Sequence, residues 1–174
     1  ARLAGTVSVA GAKNSALKLM ASTLLAPGKT TITNLPAIAD VDYMAESLTR
    51  LGCTVEINKE QGEVSIDVPE KLEHRADYDL VRKMRASINV LGPLITRVGE
   101  ADVALPGGDA IGSRGLDYHI NGLTDMGAVI TLEHGFIIAK APNGLKGASI
   151  TLEFPSVGAT ENIMTAATLA NGIT

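Results

Sequence analysis

Residues 47–52, Ser-Leu-Thr-Arg-Leu-Gly, are echoed by residues 122–127, Gly-Leu-Thr-Asp-Met-Gly, at an offset of 75 residues. Each segment ends an aliphatic helix pattern at a glycine, and alternating aliphatic residues follow both glycines at the same offset. A glycine after the last apolar residue of a helix pattern is typical of a helix C-terminus. A helix end followed by strands, recurring at a fixed spacing, indicates an internal repeat.

Strand and helix patterns alternate outward from both segments. The start of the chain, Gly5 to Gly28, has a looser counterpart in Gly147 to Gly172. Together these internal sequence similarities predict repeated βαβαββ units, with two copies nearly complete and a third just begun. The predicted strands are 5–9, 29–33, 54–57, 63–68, 101–105, 128–132, 136–140 and 148–152. The predicted helices are 14–26, one capped by Asp40 or Asp42, one from Asp79 interrupted at Gly92-Pro93, 116–126 and 159–170.

The composition predicts a folded chain with an aliphatic core. Of 174 residues, 45% are hydrophobic and 20% charged, which excludes disorder by composition. Only three tyrosines and two phenylalanines are present, so aliphatic side chains must fill the core. Because residues 171–174 have the pattern of a helix end followed by a strand start, we expect the chain to be part of a longer protein.

Charge and hydropathy exclude several functional classes. A net charge of −4 argues against a general nucleic-acid binder, which needs a basic surface. No apolar run approaches the roughly 20 residues of a membrane span. The single Cys53 rules out an internal disulfide and suits a reducing compartment, so we expect a cytoplasmic protein.

Several familiar ligand motifs are absent. The Gly28-Lys29-Thr30 segment lacks the earlier glycine of a phosphate-binding P-loop, because position 23 is threonine. No Gly-x-Gly-x-x-Gly fingerprint occurs, and the three histidines lie far apart in sequence. The sequence therefore predicts neither a metal centre nor a bound cofactor.

Basic residues lie at predicted strand-to-helix junctions. Lys13 and Asn14 fall where a helix begins, and a lysine there would reinforce the anion-binding character of the helix N-terminus. A surface lysine beside an asparagine cap explains the pair equally well. Arg85 lies beside the apolar stripe of the third predicted helix, where a solvated arginine is the ordinary interpretation.

Two loops complete the candidate set. Residues 105–115 contain four glycines together with Asp109 and Arg114, a composition suited to a loop that closes over a ligand. An ordinary flexible loop is the alternative. Residues 155–160 offer the hydroxyl of Ser156 and backbone amides at a helix start, which suits phosphate but also suits a simple N-cap.

Longer motifs carry a resemblance to a known family. The chain resembles the UDP-N-acetylglucosamine 1-carboxyvinyltransferases, also called UDP-N-acetylglucosamine enolpyruvyl transferases, from about Gly5 to Thr174. The resemblance implies transfer of the enolpyruvyl group of phosphoenolpyruvate to the 3-hydroxyl of UDP-N-acetylglucosamine, the first committed step of peptidoglycan synthesis. The motifs are Gly11-Ala12-Lys13-Asn14, residues 81–87 (Val-Arg-Lys-Met-Arg-Ala-Ser), residues 105–108 (Leu-Pro-Gly-Gly), Ala110-Ile111-Gly112 with Arg114, and residues 156–160 (Ser-Val-Gly-Ala-Thr).

The resemblance also implies an architecture. The fold would be an inside-out α/β barrel of repeated βαβαββ units, with sheets outside and helices inside. Residues 1–12 would form the opening strand of a discontinuous first, catalytic domain. Residues 13–174 would form most of the second domain and stop within its third repeat.

Residue roles follow from the same resemblance. Lys13, Arg85 and Arg114 would bind the phosphate of phosphoenolpyruvate and the diphosphate of the sugar nucleotide, and Lys13 and Arg114 would also take part in catalysis. Asn14 would contact the sugar nucleotide, and Asp117 would lie near its uracil. The diphosphate-binding turn would consist of Ser156, Val157 and Gly158.

This sequence departs from the family pattern at three positions. Asp109 stands where many members have the cysteine that fosfomycin alkylates, and the resemblance implies that it donates a proton to the substrate. Gly115 replaces a proline, and Phe154 replaces a lysine that some members place near the nucleotide. The general base of the family would lie beyond Thr174, so we expect the isolated chain to be inactive.

Two other interpretations stay open. The chain could belong to a nucleotide-sugar-binding module without catalysis, or to an enolpyruvylshikimate phosphate synthase-like enzyme.

Overall fold

The computed structural model describes residues 3–76, 85–105 and 115–174. Five α-helices and seven strands alternate along this part of the chain, with short 3-10 segments at Thr23–Leu25 and Arg85–Val90. In chain order they are α1 (Lys13–Ser22), β1 (Gly28–Ile32), α2 (Ala39–Arg50), β2 (Thr54–Asn58), β3 (Glu63–Val68), β4 (Arg75–Ala76), α3 (Leu91–Val98), β5 (Glu100–Ala104), α4 (Asp117–Asp125), β6 (Val129–Glu133), β7 (Phe136–Lys140) and α5 (Val157–Ala167).

The strands form two sheets with matching order. The first sheet has the order β1-β3-β2 and is antiparallel throughout. The second has the order β4-β5-β7-β6, in which β5, β7 and β6 correspond to β1, β3 and β2 and β4 adds a parallel edge strand. This correspondence confirms an internal repeat, in which a strand, a helix and two further strands recur as β1-α2-β2-β3 and β5-α4-β6-β7.

The ends of α2 and α4 show the repeat in atomic detail. At the end of α2, Gly52 donates to the carbonyl of Thr49 and Cys53 donates to that of Leu48, both at 3.0 Å. At the end of α4, the amides of residues 127 and 128 make the same two bonds, at 2.8 and 3.0 Å. Gly52 has φ +103° and its counterpart at 127 has φ +97°, the left-handed conformation that this C-terminal motif requires.

Helices form the inner layer and sheets the outer one. Helix α5 packs against α3 and α4, α1 packs against α2, and the 3-10 segment Arg85–Val90 contacts both α1 and α5. Strands such as β2 alternate exposed and half-buried positions, because one sheet face covers the helices and the other meets solvent. The arrangement confirms the predicted inside-out α/β barrel architecture. The largest fully buried side chains are all aliphatic: Leu17, Met20, Leu24, Met44, Leu48, Leu51, Ile66, Leu91, Leu94, Ile95 and Leu123.

Three local predictions are wrong. Residues 5–9 form no strand, although Val7 and Val9 alternate with polar residues, because no described strand pairs with them and both are over 80% exposed. Residues 148–152 are also irregular, and only the bridge between Lys146 and Asn171 marks a parallel pairing beside them. The acids at 40 and 42 do not cap α2, whose N-cap is Ile38; they lie in its first turn, where the helix dipole favours them.

The remaining boundaries agree with the sequence patterns. The predicted second short helix is present: α3 begins at Leu91 and contains Gly92 and Pro93 in its first turn, where proline is tolerated. The predicted start of the preceding helix at Asp79 lies outside the described residues. None of the described helices combines the length and apolar character needed to cross a membrane. The assignment of residues 1–12 and 13–174 to two domains stays a prediction.

Candidate functional site

Lys13 is the first residue of α1, as the sequence predicts. Its Nζ lies 2.8 Å from Oδ2 of Asp40, in the first turn of α2, and its side chain is half-exposed. The preceding loop is held by a hydrogen bond from the amide of Gly11 to the carbonyl of Asn34 at 3.1 Å. Asn14 follows Lys13 and is exposed. The two N-termini of α1 and α2 therefore meet at an ion pair with one side open to solvent.

The Ser156 turn forms the start of α5. The Ser156 hydroxyl accepts a hydrogen bond from the amide of Ala159 at 3.3 Å, so the hydroxyl serves as an N-cap. Val157 and Gly158 are the first two helical residues, and Val157 is 69% exposed. The first N–H groups of an α-helix have no carbonyl partner within the helix. The turn therefore presents backbone donors and a positive dipole end at an accessible surface.

Asp117 is the first residue of α4 and is exposed. A carboxylate at this position is stabilised by the helix dipole. A Cβ at Gly115 would lie 2.5 Å from the Asp117 carboxylate, so a larger residue there would force that carboxylate to rotate. The glycine that departs from the family pattern is thus coupled to the position of the acid.

A buried polar network, which the sequence analysis missed, lies behind these helix starts. Asn162 of α5 is 2% exposed, and its Oδ1 accepts a hydrogen bond of 2.7 Å from the amide of Gly92. Its Nδ2 donates to the carbonyl of Ile88 at 3.3 Å and lies 3.0 Å from Nδ1 of His119, which is 7% exposed. The available sequence signal was an asparagine on the otherwise apolar face of α5.

The network joins three of the predicted segments. His119 follows Asp117 by two residues on α4, and a Cβ at Gly158 would lie 3.6 Å from its Nε2. Ile88 lies in the 3-10 segment that begins at Arg85. The start of α4, the Ser156 turn and the Arg85 segment are therefore held together through Asn162.

The remaining predicted residues are not all visible. Asp109 and Arg114 lie outside the described residues, and of Arg85 only the backbone is described.

An ion pair between Lys18 and Glu161 links α1 to α5. Lys18 is one helical turn beyond Asn14, and Glu161 is one turn beyond Val157, so this ion pair connects the Lys13 and Ser156 ends of the site.

Other titratable groups in the described chain do not form a second centre. Burial raises the pKa of the Cys53 thiol to about 11, while Arg97 opposes that shift, so this thiol is a poor nucleophile. Within residues 3–76, 85–105 and 115–174, no cluster of three or more His, Cys, Asp or Glu side chains is placed to hold a metal ion.

Known proteins match this chain over nearly its whole length. The family model for EPSP synthase (3-phosphoshikimate 1-carboxyvinyltransferase) matches residues 1–174. A protein of Corynebacterium jeikeium named UDP-N-acetylglucosamine 1-carboxyvinyltransferase is 58% identical over 99% of this chain and 41% of its own length. Proteins of the same name from Mycobacterium tuberculosis and Caulobacter sp. are 58% and 51% identical. The chain thus spans about two fifths of the length of these relatives.

Solved structures resemble the fold at much lower identity. The crystal structure of the enolpyruvyl transferase NikO from Streptomyces tendae matches with a TM-score of 0.75 and 20% identity, covering 97% of this chain and 38% of that one. The structure of EPSP synthase from Acinetobacter baumannii matches with a TM-score of 0.73 and 21% identity, covering 95% and 38%. These likenesses establish the fold.

Proposed function

Because the chain belongs to the EPSP synthase family of carboxyvinyltransferases, whose model covers all of residues 1–174, we propose that it forms part of a UDP-N-acetylglucosamine enolpyruvyl transferase. The enolpyruvyl group of phosphoenolpyruvate would pass to the 3-hydroxyl of UDP-N-acetylglucosamine, and inorganic phosphate would leave. One observation supports this acceptor: the relatives with that printed name are 51–58% identical to the chain, whereas the A. baumannii EPSP synthase structure shares 21% identity.

The cations of the site would handle phosphate. Lys13, Arg85 and Arg114 would contact the phosphate of phosphoenolpyruvate and the substrate diphosphate, since charge-assisted bonds to oxyanions are among the strongest in proteins. In the free chain Lys13 pairs with Asp40, so substrate phosphate would replace or share that carboxylate. Fixed cations would also stabilise the charge that develops in the transition state.

The helix starts would hold the sugar nucleotide. Asn14 would contact the sugar, and Asp117 would accept a hydrogen bond from the uracil. The backbone amides of Val157 and Gly158, with Ser156 as N-cap, would bind the diphosphate at the start of α5. The exposure of Asp117 and Val157 supports these roles, because both can reach a ligand without rearrangement of the core.

Asp109 would donate the proton that the methylene carbon of phosphoenolpyruvate takes up when the 3-hydroxyl oxygen adds, and that carbon would lose a proton again when phosphate leaves. Nearby cations favour an ionised carboxyl, whereas exclusion of water favours the protonated form that a general acid needs. We propose that closure of the loop over the substrates supplies that exclusion. The reaction would take place in the cytoplasm and feed cell-wall synthesis, and through it cell shape and division.

The acceptor is tested in the full-length protein that contains this chain. Phosphate release from phosphoenolpyruvate is measured with UDP-N-acetylglucosamine or with shikimate 3-phosphate as the acceptor. We expect turnover with the nucleotide sugar only, and in that assay Arg114→Ala should lower kcat/KM by about a hundredfold or more. Turnover with shikimate 3-phosphate alone would instead identify an EPSP synthase.

A nucleotide-sugar-binding module is the second candidate, because the described helix starts can bind diphosphate without chemistry. Calorimetry of the full-length protein with UDP-N-acetylglucosamine, beside the phosphate-release assay, separates the two. Binding without turnover at any phosphoenolpyruvate concentration would favour the module. We expect the 174-residue chain alone to release no phosphate.

Fosfomycin tests the proposed role of Asp109. The drug is an epoxide that reacts with thiolates, and a carboxylate is a much weaker nucleophile. The full-length enzyme should therefore turn over without acquiring the mass of the drug, whereas Asp109→Cys should be inactivated with time and gain that mass. Asp109→Asn, which has the same size but no transferable proton, should turn over far more slowly. A drug adduct on the unmodified enzyme, or full activity of Asp109→Asn, would contradict the proposal.

A further inference from the structure

The orientation of the Asn162 amide is fixed by its neighbours. A backbone N–H can only donate, so the atom that faces the amide of Gly92 at 2.7 Å must be the side-chain oxygen. The amide nitrogen then faces the carbonyl of Ile88 at 3.3 Å and Nδ1 of His119 at 3.0 Å. Because that nitrogen only donates, Nδ1 must accept. His119 is therefore a neutral imidazole with its proton on Nε2.

The same contacts fix the position of the imidazole ring. His119 is 7% exposed as a whole residue, and its Nε2 and Cε1 lie 3.6 and 3.7 Å from the position that a Cβ on Gly158 would occupy. The ring therefore packs directly between α4 and the first turn of α5. Its orientation sets the separation between the start of α4, where Asp117 lies, and the Ser156–Gly158 turn.

The close approach of α3 makes this arrangement rigid. A Cβ on Gly92 would lie 2.4 Å from the backbone oxygen of Asn162 and 2.5 Å from its Oδ1. Only glycine fits at that point, so Asn162 sits where α3, α4 and α5 meet at short range. A fully satisfied buried amide at such a junction specifies one arrangement of the helices.

We propose that Asn162 is a positioning residue for the nucleotide sugar: acting through His119, it holds the Ser156–Gly158 turn at the distance from Asp117 that one UDP sugar must span. The inference rests on the proposed function and adds a residue that contacts no substrate. A nucleotide sugar contacts both ends of this span, through its uracil and its diphosphate. Phosphoenolpyruvate does not need both ends, so loss of the network should affect the two substrates unequally.

The test uses Asn162→Asp in the full-length enzyme that contains this chain. Aspartate keeps the size of the side chain and an oxygen for the amide of Gly92, but it has no N–H for Ile88 or His119. Thr165→Val is the matched control. Thr165 lies on α5 like Asn162, and its hydroxyl is close to Gly92 of α3. Among the described residues, that hydroxyl donates to the α5 carbonyls of Glu161 and Asn162.

Asn162→Asp loses two buried hydrogen bonds, of which the one to His119 orients the ring. We therefore expect it to raise the KM for UDP-N-acetylglucosamine by at least about tenfold and to leave the KM for phosphoenolpyruvate within about threefold. Thr165→Val should leave both KM values within about threefold. Equal changes for both substrates, or no change, would overturn the inference. Absence of turnover with UDP-N-acetylglucosamine in the unmodified enzyme would instead contradict the proposed function.

A second measurement needs no folded variant of Asn162. Long-range proton–nitrogen NMR spectra of the ¹⁵N-histidine-labelled, unmodified full-length enzyme distinguish the two neutral tautomers and the cation. We expect the His119 signal, assigned by its absence from His119→Gln, to show a proton on Nε2 alone. A proton on Nδ1 would mean that Asn162 does not orient the ring as described and would overturn the inference.

Discussion

Cys53 follows the glycine that ends α2, and its side chain is 4% exposed. Burial raises the pKa of its thiol from 9.0 to about 11, the positive charge of Arg97 lowers it, and Asp67 raises it further. The guanidinium of Arg97 donates at 2.7 Å to the carbonyl of Leu24 and at 2.6 Å to that of Pro69. The charge of Arg97 offsets only part of the effect of burial, so the thiol stays protonated and unreactive at neutral pH.

Because the thiol pKa is raised in the folded state, the free energy of unfolding should decrease at alkaline pH. A group whose pKa is higher in the folded state stabilises that state fully below its unfolded pKa, here 9.0, and loses the contribution as the pH rises towards 11. The free energy of unfolding should therefore fall by up to about 2 kcal/mol between pH 9 and 11 from this group alone. Urea titrations across that range check it, with Cys53→Ala as the control in which this component disappears. An identical slope for both proteins would contradict the assignment.

At the scale of elements, two glycines permit close helix packing but in different surroundings. A Cβ on Gly92 would meet backbone at 2.4 Å, whereas one on Gly122 would meet the terminal Cδ1 of Ile163 at 2.2 Å. The backbone cannot yield without moving a helix. At Gly122 both Cδ1 and Cγ1 of Ile163 are too close, the latter at 2.8 Å, but a rotamer change of that side chain moves both. The two positions therefore differ in tolerance even though the nearest contacts are of similar length.

We expect Gly92→Ala to reduce the free energy of unfolding by about 2 to 3 kcal/mol, the usual cost of overpacking. Gly122→Ala should cost under about 1 kcal/mol, because the higher helix propensity of alanine offsets part of the strain. Urea denaturation of the two variants side by side measures the difference. Equal destabilisation would show that the junction of α3 with α5 is no more constrained than that of α4 with α5.

The elements that the sequence predicts correctly are those stabilised locally. The helix at residues 14–26 and the hairpin at 128–140 carry their periodicity and stop signals within the segment itself. Residues 5–9 and 148–152 have the alternation of strands, but a strand also needs a partner to receive its hydrogen bonds. Sequence alternation does not contain that information.

The candidate site likewise contains some residues that the sequence predicts and others that it does not. Lys13, Asp117 and Ser156 were predictable because helix starts have local signals. Asn162 and His119 were not, since their 3.0 Å contact joins residues 43 positions apart. The structure shows where Lys13, Asp117 and Ser156 lie, but the role of every candidate site residue, including Arg85, Asp109 and Arg114, stays a prediction.

At the scale of the whole molecule, the first and third repeats are joined by an ion pair. Lys18 of α1 and Glu161 of α5 are 23% and 32% exposed, so the pair is only partly screened by water. A double-mutant cycle with Lys18→Met and Glu161→Gln should give a coupling energy of about 1 kcal/mol that shrinks at high salt. The exposed pair of Lys59 and Asp42 is the control, and its coupling should be smaller. Equal couplings would mean that the position between repeats gives the ion pair no added strength.

The third repeat has a helix but no described sheet. Two backbone hydrogen bonds join the residues on either side of this repeat. The amide of Asn171 donates to the carbonyl of Leu145, and the amide of Gly147 donates to the carbonyl of Asn171, both at 2.9 Å. Helix α5 keeps one face buried on α3 and α4, while Met164 remains 59% exposed. The order of this repeat therefore comes from helix packing, which protects its helix but not the adjoining extended segment.

Hydrogen exchange of the 174-residue chain tests this difference in order. Amides in residues 148–156 should exchange at least about a hundredfold faster than those of β7, because β7 is hydrogen-bonded on both sides by β5 and β6. Amides in the middle of α5 should exchange at rates between those of the two other segments, since the helix is hydrogen-bonded internally and packed on one face. Mass spectrometry of peptic fragments separates the three segments. Protection of residues 148–156 equal to that of β7 would mean that these residues form a stable strand and that the third repeat already carries its own sheet.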